Sequence, residues 1–212
     1  MTSLMSKEQF KAATGLSDTN VDKWYLPVLN GFTEYNVYSS LRMAHFIAQI
    51  MHETMSFKYL EENLNYRSTS RLVQVFKSRN GLTPVIASRL VGDPQAIANF
   101  VYGGTWGKNN LGNTEPSDGW DFRGSGAMHT TGRYNHEEVA KALGVDLHRS
   151  AELMRTDPEY AMRTASWYWM QRKVNVPADV DHLRRVTKLV NGGENGLDDR
   201  QKHLNKAKAA LL

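Results

Sequence analysis

The sequence predicts a mainly α-helical protein. Apolar residues recur at helical spacing from Leu41 to about Met55, and this segment is apolar on almost all sides, so we expect it to be buried. Helix start signals also recur along the chain. Ser6 and Gln9 form a capping box, and Asp157-Pro158 places a capping residue before a proline of the first turn. The 212 residues, 41% of them hydrophobic, can bury one good core, so we expect residues 1–212 to form a single compact domain.

The other helices follow in order. A second helix is predicted from near Asn20 to Tyr35, and Pro27 kinks or splits it. Later helices are predicted to start at Ser70, Thr83-Pro84 and Asp93-Pro94, and helices are predicted to stop at Gly15, Gly103, Gly144 and Gly192. The last predicted helix is an amphipathic segment from Leu197 to Leu212. This last segment is basic and could contact membranes. Its narrow apolar stripe favours packing on the protein core instead.

One polar stripe interrupts the central helix. It repeats at steps of three and four residues and consists of Arg42, His45, Gln49, His52 or Glu53, and Ser56. Periodicity alone favours a solvated face. The alternative is that the stripe lines a cleft.

The segment from Gly103 to Gly132 has a different composition. It holds eight of the sixteen glycines of the chain, together with Trp106, Trp120 and Phe122. We expect it to be irregular, and long irregular segments in compact domains tend to be functional. The glycines do not form a phosphate-binding loop, because the G-x-x-x-x-G-K-[ST] pattern is absent.

Composition excludes several classes of function. Cysteine is absent, which excludes disulfides, thiolate catalysis and a Cys-based zinc site. No run of about 18 apolar residues could span a bilayer, so stable membrane insertion is not expected, and the N-terminal residues lack the apolar stretch of a secretory signal. The net charge of +4 suits an anionic partner such as nucleic acid, a membrane surface or an acidic cell wall. The sequence gives no sign of a metal or cofactor.

Acid/base chemistry remains, and Glu53 and Glu62 are the candidates for it. The segment HETMSF begins like a zinc-protease helix, but residue 56 is Ser where a second zinc-binding His is needed. Glu53 and Glu62 are nine positions apart, so on one continuous helix their side chains would point in opposite directions. We therefore expect the helix to end between them and Glu62 to fold back on a loop, facing Glu53 across a groove.

The two carboxyl groups are expected to differ in protonation. Burial and the negative end of the helix dipole disfavour a charged Glu53. Glu62 lies in the polar segment EENLNY, with Asn63 and Asn65 nearby, which favours its ionised form. A protonated carboxyl opposite a carboxylate is what an inverting glycosidase requires. The alternative is that both are ordinary helix-end or surface glutamates.

Four segments resemble, in order and spacing, the conserved blocks of glycoside hydrolase family 19, and especially the short single-domain bacteriophage endolysins of that family. They are AHFIAQIMHETMSFKYLEENLNY, DGWDFRGSGAMHTTGRYNHEEVAKALGVDL, TASWYWM and VTKLVNGGENGLDDR, and the likeness extends from about Ser6 to the C-terminus. The resemblance implies a lysozyme-like fold of two helical lobes flanking a substrate cleft. It also implies that residues 1–212 are a single catalytic domain without a separate cell-wall-binding module.

The resemblance further implies roles for individual residues. Glu53 matches the general acid of the family, Glu62 matches the second carboxylate, with Glu61 a weaker candidate, and Thr131 matches the hydroxyl residue that helps to position the attacking water. The predicted substrate-binding residues are His52, Tyr66, Trp106, Trp120, Arg123, His129, Asn135 and Asn191. His52 is expected to orient Glu53 or to pack locally. The aromatic residues could stack on sugar faces or belong to the core.

The chain departs from the family pattern at several positions. Two small residues, often Gly-Gly, usually follow the HE(S/T) motif, whereas this chain has Met55 and Ser56, so the turn is expected to take another shape. The family's RGRGLIQLTGR is RGSGAMHTTGR here, which replaces an arginine by Ser125 and a sugar-contacting glutamine by His129. His129 could make binding sensitive to pH, because histidine changes its charge near neutrality.

The resemblance thus implies a peptidoglycan-cleaving endolysin of the muramidase type, an inverting enzyme that causes bacterial lysis. The expected partner is bacterial peptidoglycan and the expected state is a monomer. Such an enzyme is stored in the host bacterial cytoplasm until release, and then acts in the periplasm or cell wall. Two alternatives stay open: a chitinase that hydrolyses poly-N-acetylglucosamine, and a non-enzymatic protein that binds glycans or nucleic acid. The dispersed Lys and Arg residues argue against nucleic acid.

Overall fold

The computed structural model describes residues 4–77 and 79–212. Helices dominate these residues, which confirms the predicted mainly α-helical fold, and a short 3-10 helix spans Arg79–Gly81. The α-helices found there are α1 (Lys7–Thr14), α2 (Asp18–Glu34), α3 (Ser40–Glu53), α4 (Thr69–Phe76), α5 (Pro84–Leu90), α6 (Pro94–Val101), α7 (Gly104–Leu111), α8 (Asp118–Asp121), α9 (Arg133–Leu143), α10 (Leu147–Thr156), α11 (Pro158–Gln171), α12 (Asn175–Asp179), α13 (Leu183–Asn191) and α14 (Leu197–Leu211).

The chain divides into two compact units. The first runs to Leu60 and adds Gly126–Met128 and Leu153–Leu212. The second contains Glu61–Ser125 and His129–Glu152. In the described ranges, no helix is both long enough and apolar enough to cross a bilayer.

The core of the first unit is built around α3. The side chains of Phe46, Ile47 and Ile50 are at most 1% exposed. Helix α14 packs along α3, and Leu204 and Leu211 of α14 are buried in the same core. The prediction that the basic C-terminal helix docks on the core is therefore confirmed.

Capping chemistry sets several of the helix boundaries. The capping box of Ser6 and Gln9 is present, and Thr83, Asp93 and Asp157 each accept a hydrogen bond from a first-turn N–H group, as the sequence predicts. Helix α2 continues through Pro27 without splitting.

The predicted start at Ser70 is wrong. Ser68 caps α4 instead: its backbone is extended and its hydroxyl accepts the N–H of Arg71 at 3.3 Å. Both serines are capping residues by type, so only the backbone conformation distinguishes them.

The glycine-rich segment is also more regular than predicted. Helices α7 and α8 occupy part of 103–132, and Gly103 begins α7 instead of ending α6. Gly119 explains part of this composition, because a Cβ there would lie only 2.4 Å from the carbonyl oxygen of Ala98. Close helix packing, and not irregular backbone, requires this glycine.

The chain leaves α3 through a left-handed turn. Met55, Ser56 and Phe57 all have positive φ angles, between 48° and 63°. Thr54 organises the turn, since its hydroxyl donates to the Ile50 carbonyl oxygen and accepts the N–H of Phe57. Three consecutive residues with side chains therefore adopt the conformation that glycine favours.

Candidate active site

The polar stripe of α3 is covered by residues from the C-terminal part of the first unit. The pairs are Arg42 with Asp179, His45 with Asp181, Gln49 and Glu53 with Arg200, and His52 with Asp199. The expectation of a solvated face is wrong for His45 and Gln49, which are both 0% exposed. Periodicity identifies polar positions, but it does not show which distant side chains cover them.

Glu53 ends α3 in contact with Arg200. The Nη2 atom of Arg200 donates to Oε1 of Glu53 at 2.5 Å, and its Nη1 donates to Oε1 of Gln49 at 2.5 Å. Arg200 is only 1% exposed. The prediction of a neutral Glu53 considered burial and the helix dipole, but it lacked this buried positive charge. Arg200 stands in the quoted block VTKLVNGGENGLDDR, yet sequence reasoning assigned it no role.

His52 lies beside the same ion pair. Its Nδ1 is 2.7 Å from Oδ2 of Asp199, the residue before Arg200. This hydrogen bond holds the pKa of Asp199 below its ordinary value. Gly196 makes room for the imidazole, because a Cβ at that position would lie 2.1 Å from Cε1 of His52. His52 and Glu53 of α3 thus pair with Asp199 and Arg200 of α14, respectively.

Glu62 belongs to the second unit and is held by two donors. The N–H of Gly124 donates to Oε1 at 2.7 Å, and the hydroxyl of Tyr102 donates to Oε2 at 2.6 Å. Glu62 therefore has polar surroundings, as predicted, but Gly124 and Tyr102 provide them. The side chain of Asn63 instead accepts the backbone N–H of Asn65. Sequence reasoning missed Tyr102 because it lies 40 residues from Glu62 in the sequence, at the C-cap of α6.

Tyr102 is suited to donating a hydrogen bond to a carboxylate. Burial, together with the negative charge of Glu62, raises the pKa of its phenol well above the ordinary value. Tyr102 therefore keeps its proton at any physiological pH. The two oxygens of the Glu62 side chain thus each accept one hydrogen bond.

Thr131 and Glu62 flank Gly124. A Cβ on Gly124 would lie 3.4 Å from Oγ1 of Thr131 and 3.4 Å from Cδ of Glu62. The Thr131 hydroxyl donates to the carbonyl oxygen of His129 at 2.9 Å, and the Asn135 amide donates to the carbonyl oxygen of Thr131 at 2.8 Å. The structure therefore brings two of the three predicted catalytic residues together around one glycine.

A pair of backbone hydrogen bonds shapes this loop. Ser125 and Thr130 exchange N–H and carbonyl contacts at 2.9 and 3.0 Å. Ser125 is fully buried, and its hydroxyl donates to the Arg123 carbonyl oxygen at 2.7 Å. His129, within the same loop, has a φ of 46°. An arginine at position 125, as in the family pattern, would be buried here without contact to solvent. This burial explains the small serine at position 125.

Arg123 is held by its own unit. Its Nη2 donates to Glu61 at 2.6 Å, its Nη1 donates to the Trp120 carbonyl oxygen at 2.7 Å, and its guanidinium lies 3.7 Å from the centre of the Trp120 ring. Glu61 is thus an ion-pair partner of Arg123, whereas Glu62 faces Gly124. This arrangement distinguishes the two adjacent glutamates.

The other predicted sugar-binding residues are distributed over both units. Tyr66 and Trp106 pack against the core of the second unit, Tyr66 on Phe76 at 5.5 Å and Trp106 under the guanidinium of Arg79 at 4.0 Å. Asn191 ends α13 in the first unit, and its Nδ2 has no hydrogen-bond partner among the described residues. Within those same residues, no three His, Asp or Glu side chains are grouped to hold a metal ion.

Comparison with known proteins identifies relatives of this chain. The family model described as chitinase class I matches residues 108–186. A "Glycosyl hydrolase family 19 domain-containing protein" of Haemophilus influenzae is 35% identical over 166 residues, which cover 77% of each chain. Chitinase 11 of rice, Oryza sativa subsp. japonica, is 30% identical over 42% of each chain.

Solved structures show the same fold. Chitinase C from Streptomyces griseus matches 98% of this chain and 76% of its own, with a TM-score of 0.62 and 17% identity. A bacterial family 19 chitinase matches 99% of this chain and 95% of its own, with a TM-score of 0.59 and 17% identity.

Proposed function

Because this chain belongs to glycoside hydrolase family 19, we propose that it is an endolysin that cleaves β-1,4 bonds between the N-acetylated amino sugars of bacterial peptidoglycan. Membership of the family makes it a chitinase-like glycosidase with a lysozyme-like fold. The endolysin role is supported by the resemblance of its four sequence blocks to phage endolysins and by a net charge of +4, which suits an anionic wall.

The observation that carries the mechanism is the environment of Glu62. Two donors fix its carboxylate beside the hydroxyl of Thr131. A carboxylate that is oriented in this way can accept a proton from a water molecule, and the hydroxyl supplies a second contact to that water. In the proposed reaction, Glu62 is therefore the general base and Thr131 positions the nucleophile.

Glu53 is the proposed general acid. It donates its proton to the glycosidic oxygen as the bond from that oxygen to the anomeric carbon breaks, while water attacks the same carbon and gives its proton to Glu62. The products have inverted anomeric configuration, and one proton has moved from Glu53 to the leaving sugar. Arg200 holds the Glu53 carboxyl group in place and stabilises the negative charge that remains after proton transfer.

A chitinase is the second candidate, because the rice relative and both structural neighbours are named chitinases. Turbidity loss of permeabilised bacteria, compared with sugar release from chitin, separates the two functions. We expect faster action on bacterial walls. Faster release from chitin would favour the second candidate.

The terminal sugar of the products decides the bond specificity. A muramidase-type enzyme leaves N-acetylmuramic acid at the new reducing end, which mass analysis of digested peptidoglycan detects. Reducing ends of N-acetylglucosamine would contradict the muramidase assignment. The proposal includes action as a monomer, storage in the host cytoplasm and release to the periplasm or cell wall.

A further inference from the structure

A polar cavity lies beside Tyr66, and none of the residues that line it has a role in the active site proposed above. It has a volume of about 320 Å³ and is lined by Asn65, Arg67, Val91 and Gly92, all in the second unit. The N–H of Gly92 donates to the carbonyl oxygen of Tyr66 at 2.9 Å, which joins the two chain segments that form its walls. The backbone of this unit therefore maintains the cavity.

Arg67 gives the cavity a positive charge. Its side chain is exposed, and among residues 4–77 and 79–212 no carboxylate lies within ion-pair distance of its guanidinium. Two other arginines of the unit are engaged, since Arg123 pairs with Glu61 and Arg133 pairs with Asp118. The planar guanidinium of Arg67 is therefore available to a ligand.

The chemistry of the lining residues selects a carboxylate. A guanidinium can donate two parallel hydrogen bonds to the two oxygens of a carboxylate, a geometry that an ammonium group cannot offer. The Asn65 amide adds a further donor at the same cavity. Val91 and Gly92 also line the cavity, and none of its lining residues in the described part of the chain has an acidic side chain that would repel an anion.

The cavity is close to the proposed base along the chain. Arg67 lies five positions after Glu62, a distance along the chain of at most about 17 Å even for a fully extended backbone. A polysaccharide of several sugars that is bound at Glu62 can therefore place one of its substituents at this cavity.

We propose that this cavity binds a carboxylate carried by the substrate, so that Asn65 and Arg67 select a charged glycan over an uncharged one. Peptidoglycan carries carboxylates on its stem peptides and, where a stem peptide is absent, on the lactyl groups of N-acetylmuramic acid, whereas chitin carries none. The inference rests on the proposed function, because it concerns the substrate of the same enzyme. It adds a specificity site that is distinct from the predicted sugar-binding residues.

Steady-state kinetics on three tetrasaccharides tests this site. The substrates are chitotetraose, a peptide-free tetrasaccharide of alternating N-acetylglucosamine and N-acetylmuramic acid, and the same tetrasaccharide with its peptides. For Arg67→Ala we expect KM to rise about fivefold on the charged substrates, with kcat unchanged, since an exposed ion pair contributes up to about 1 kcal/mol. Arg67→Lys should recover only part of this loss.

The control is Lys141→Ala, which removes one exposed positive charge from α9 of the same unit and should leave each KM unchanged. A rise in KM for the peptide-free substrate identifies the lactyl carboxylate as the ligand. A rise only for the peptide-bearing substrate identifies a peptide carboxylate. An equal rise on chitotetraose, or no rise on either charged substrate, overturns the inference.

Equilibrium binding separates this inference from the catalytic proposal. The Glu62→Gln protein, with and without Arg67→Ala, is titrated with the same three oligosaccharides in the absence of turnover. We expect Arg67→Ala to weaken binding of a charged oligosaccharide about fivefold and to leave chitotetraose unaffected. Inactivity of the wild-type enzyme would defeat the proposed function, whereas identical affinities with and without Arg67 would defeat the cavity assignment.

Discussion

The Nη2 atom of Arg200 lies 2.5 Å from Oε1 of Glu53, and both side chains are withdrawn from solvent, with 1% and 15% of their surface exposed. The contact joins the first turns of α14 to the last turn of α3. Removing one partner of such a pair costs far more than the pair contributes, because the other charge stays buried without compensation. The position of the proposed general acid therefore depends on a residue 147 positions away.

Replacement of this arginine tests the dependence. Arg200→Met should lower the free energy of unfolding by about 3 kcal/mol, since it leaves the buried Glu53 carboxyl group without its hydrogen-bond donor. In a Glu53→Gln background the same change should cost clearly less, because a neutral amide makes a weaker contact with Arg200 than a carboxyl group does. Urea unfolding of the four proteins measures the difference. Equal costs in both backgrounds would show that the pair is not the reason for the loss.

Gly124 provides a test of the spacing between Glu62 and Thr131. A Cβ there would lie 3.3 to 3.4 Å from both side chains, so Gly124→Ala should displace them and lower kcat about tenfold with little loss of stability. The matched control is Gly193→Ala, where a Cβ meets no atom within 4 Å. Wild-type kcat in Gly124→Ala would show that the spacing of these two groups is not critical.

The left-handed turn after α3 predicts a stabilising substitution. Ser56 has a φ of 63°, so Ser56→Gly should raise the free energy of unfolding by about 0.5 to 1 kcal/mol through relief of strain. The same substitution at exposed Ser88, inside α5, should lower it by a similar amount, because glycine is a poor helix former. Changes of the same sign at both positions would refute this explanation of the turn.

His45 predicts a dependence of stability on pH. Burial lowers the pKa of His45 below its ordinary value of 6.5, although Asp181 opposes the shift and Lys208 adds to it. The unfolded chain therefore binds a proton more readily, and the stability that neutral His45 contributes above about pH 6.5 is lost as the pH falls.

The corresponding measurement uses His45→Gln. Its free energy of unfolding should decrease less between pH 7 and pH 5 than that of the wild-type protein, because the titrating group is absent. Thermal or urea unfolding at several pH values gives the two slopes. Parallel slopes would mean that another group causes the pH dependence.

Local features of this protein could be predicted from its sequence, and distant partners could not. The apolar periodicity predicts the central helix from Leu41 to about Met55, close to the observed Ser40–Glu53, and the cap at Asp157 follows from residue type. Arg200 could not be derived from spacing, because its contact with Glu53 exists only after α14 has packed on α3. Tyr102 was missed for the same reason, since its hydroxyl meets Glu62 through the packing of the second unit.

The most direct test of the account is the rate of peptidoglycan hydrolysis by three glutamine variants. Glu53→Gln and Glu62→Gln should each lower kcat at least about 100-fold while the proteins stay folded, since each change removes a proton donor or acceptor. Glu61→Gln is the matched control, because Glu61 neighbours Glu62 but pairs with Arg123. It should keep most of the wild-type rate. An active Glu62→Gln enzyme, or an inactive Glu61→Gln enzyme that is folded, would contradict the assignment.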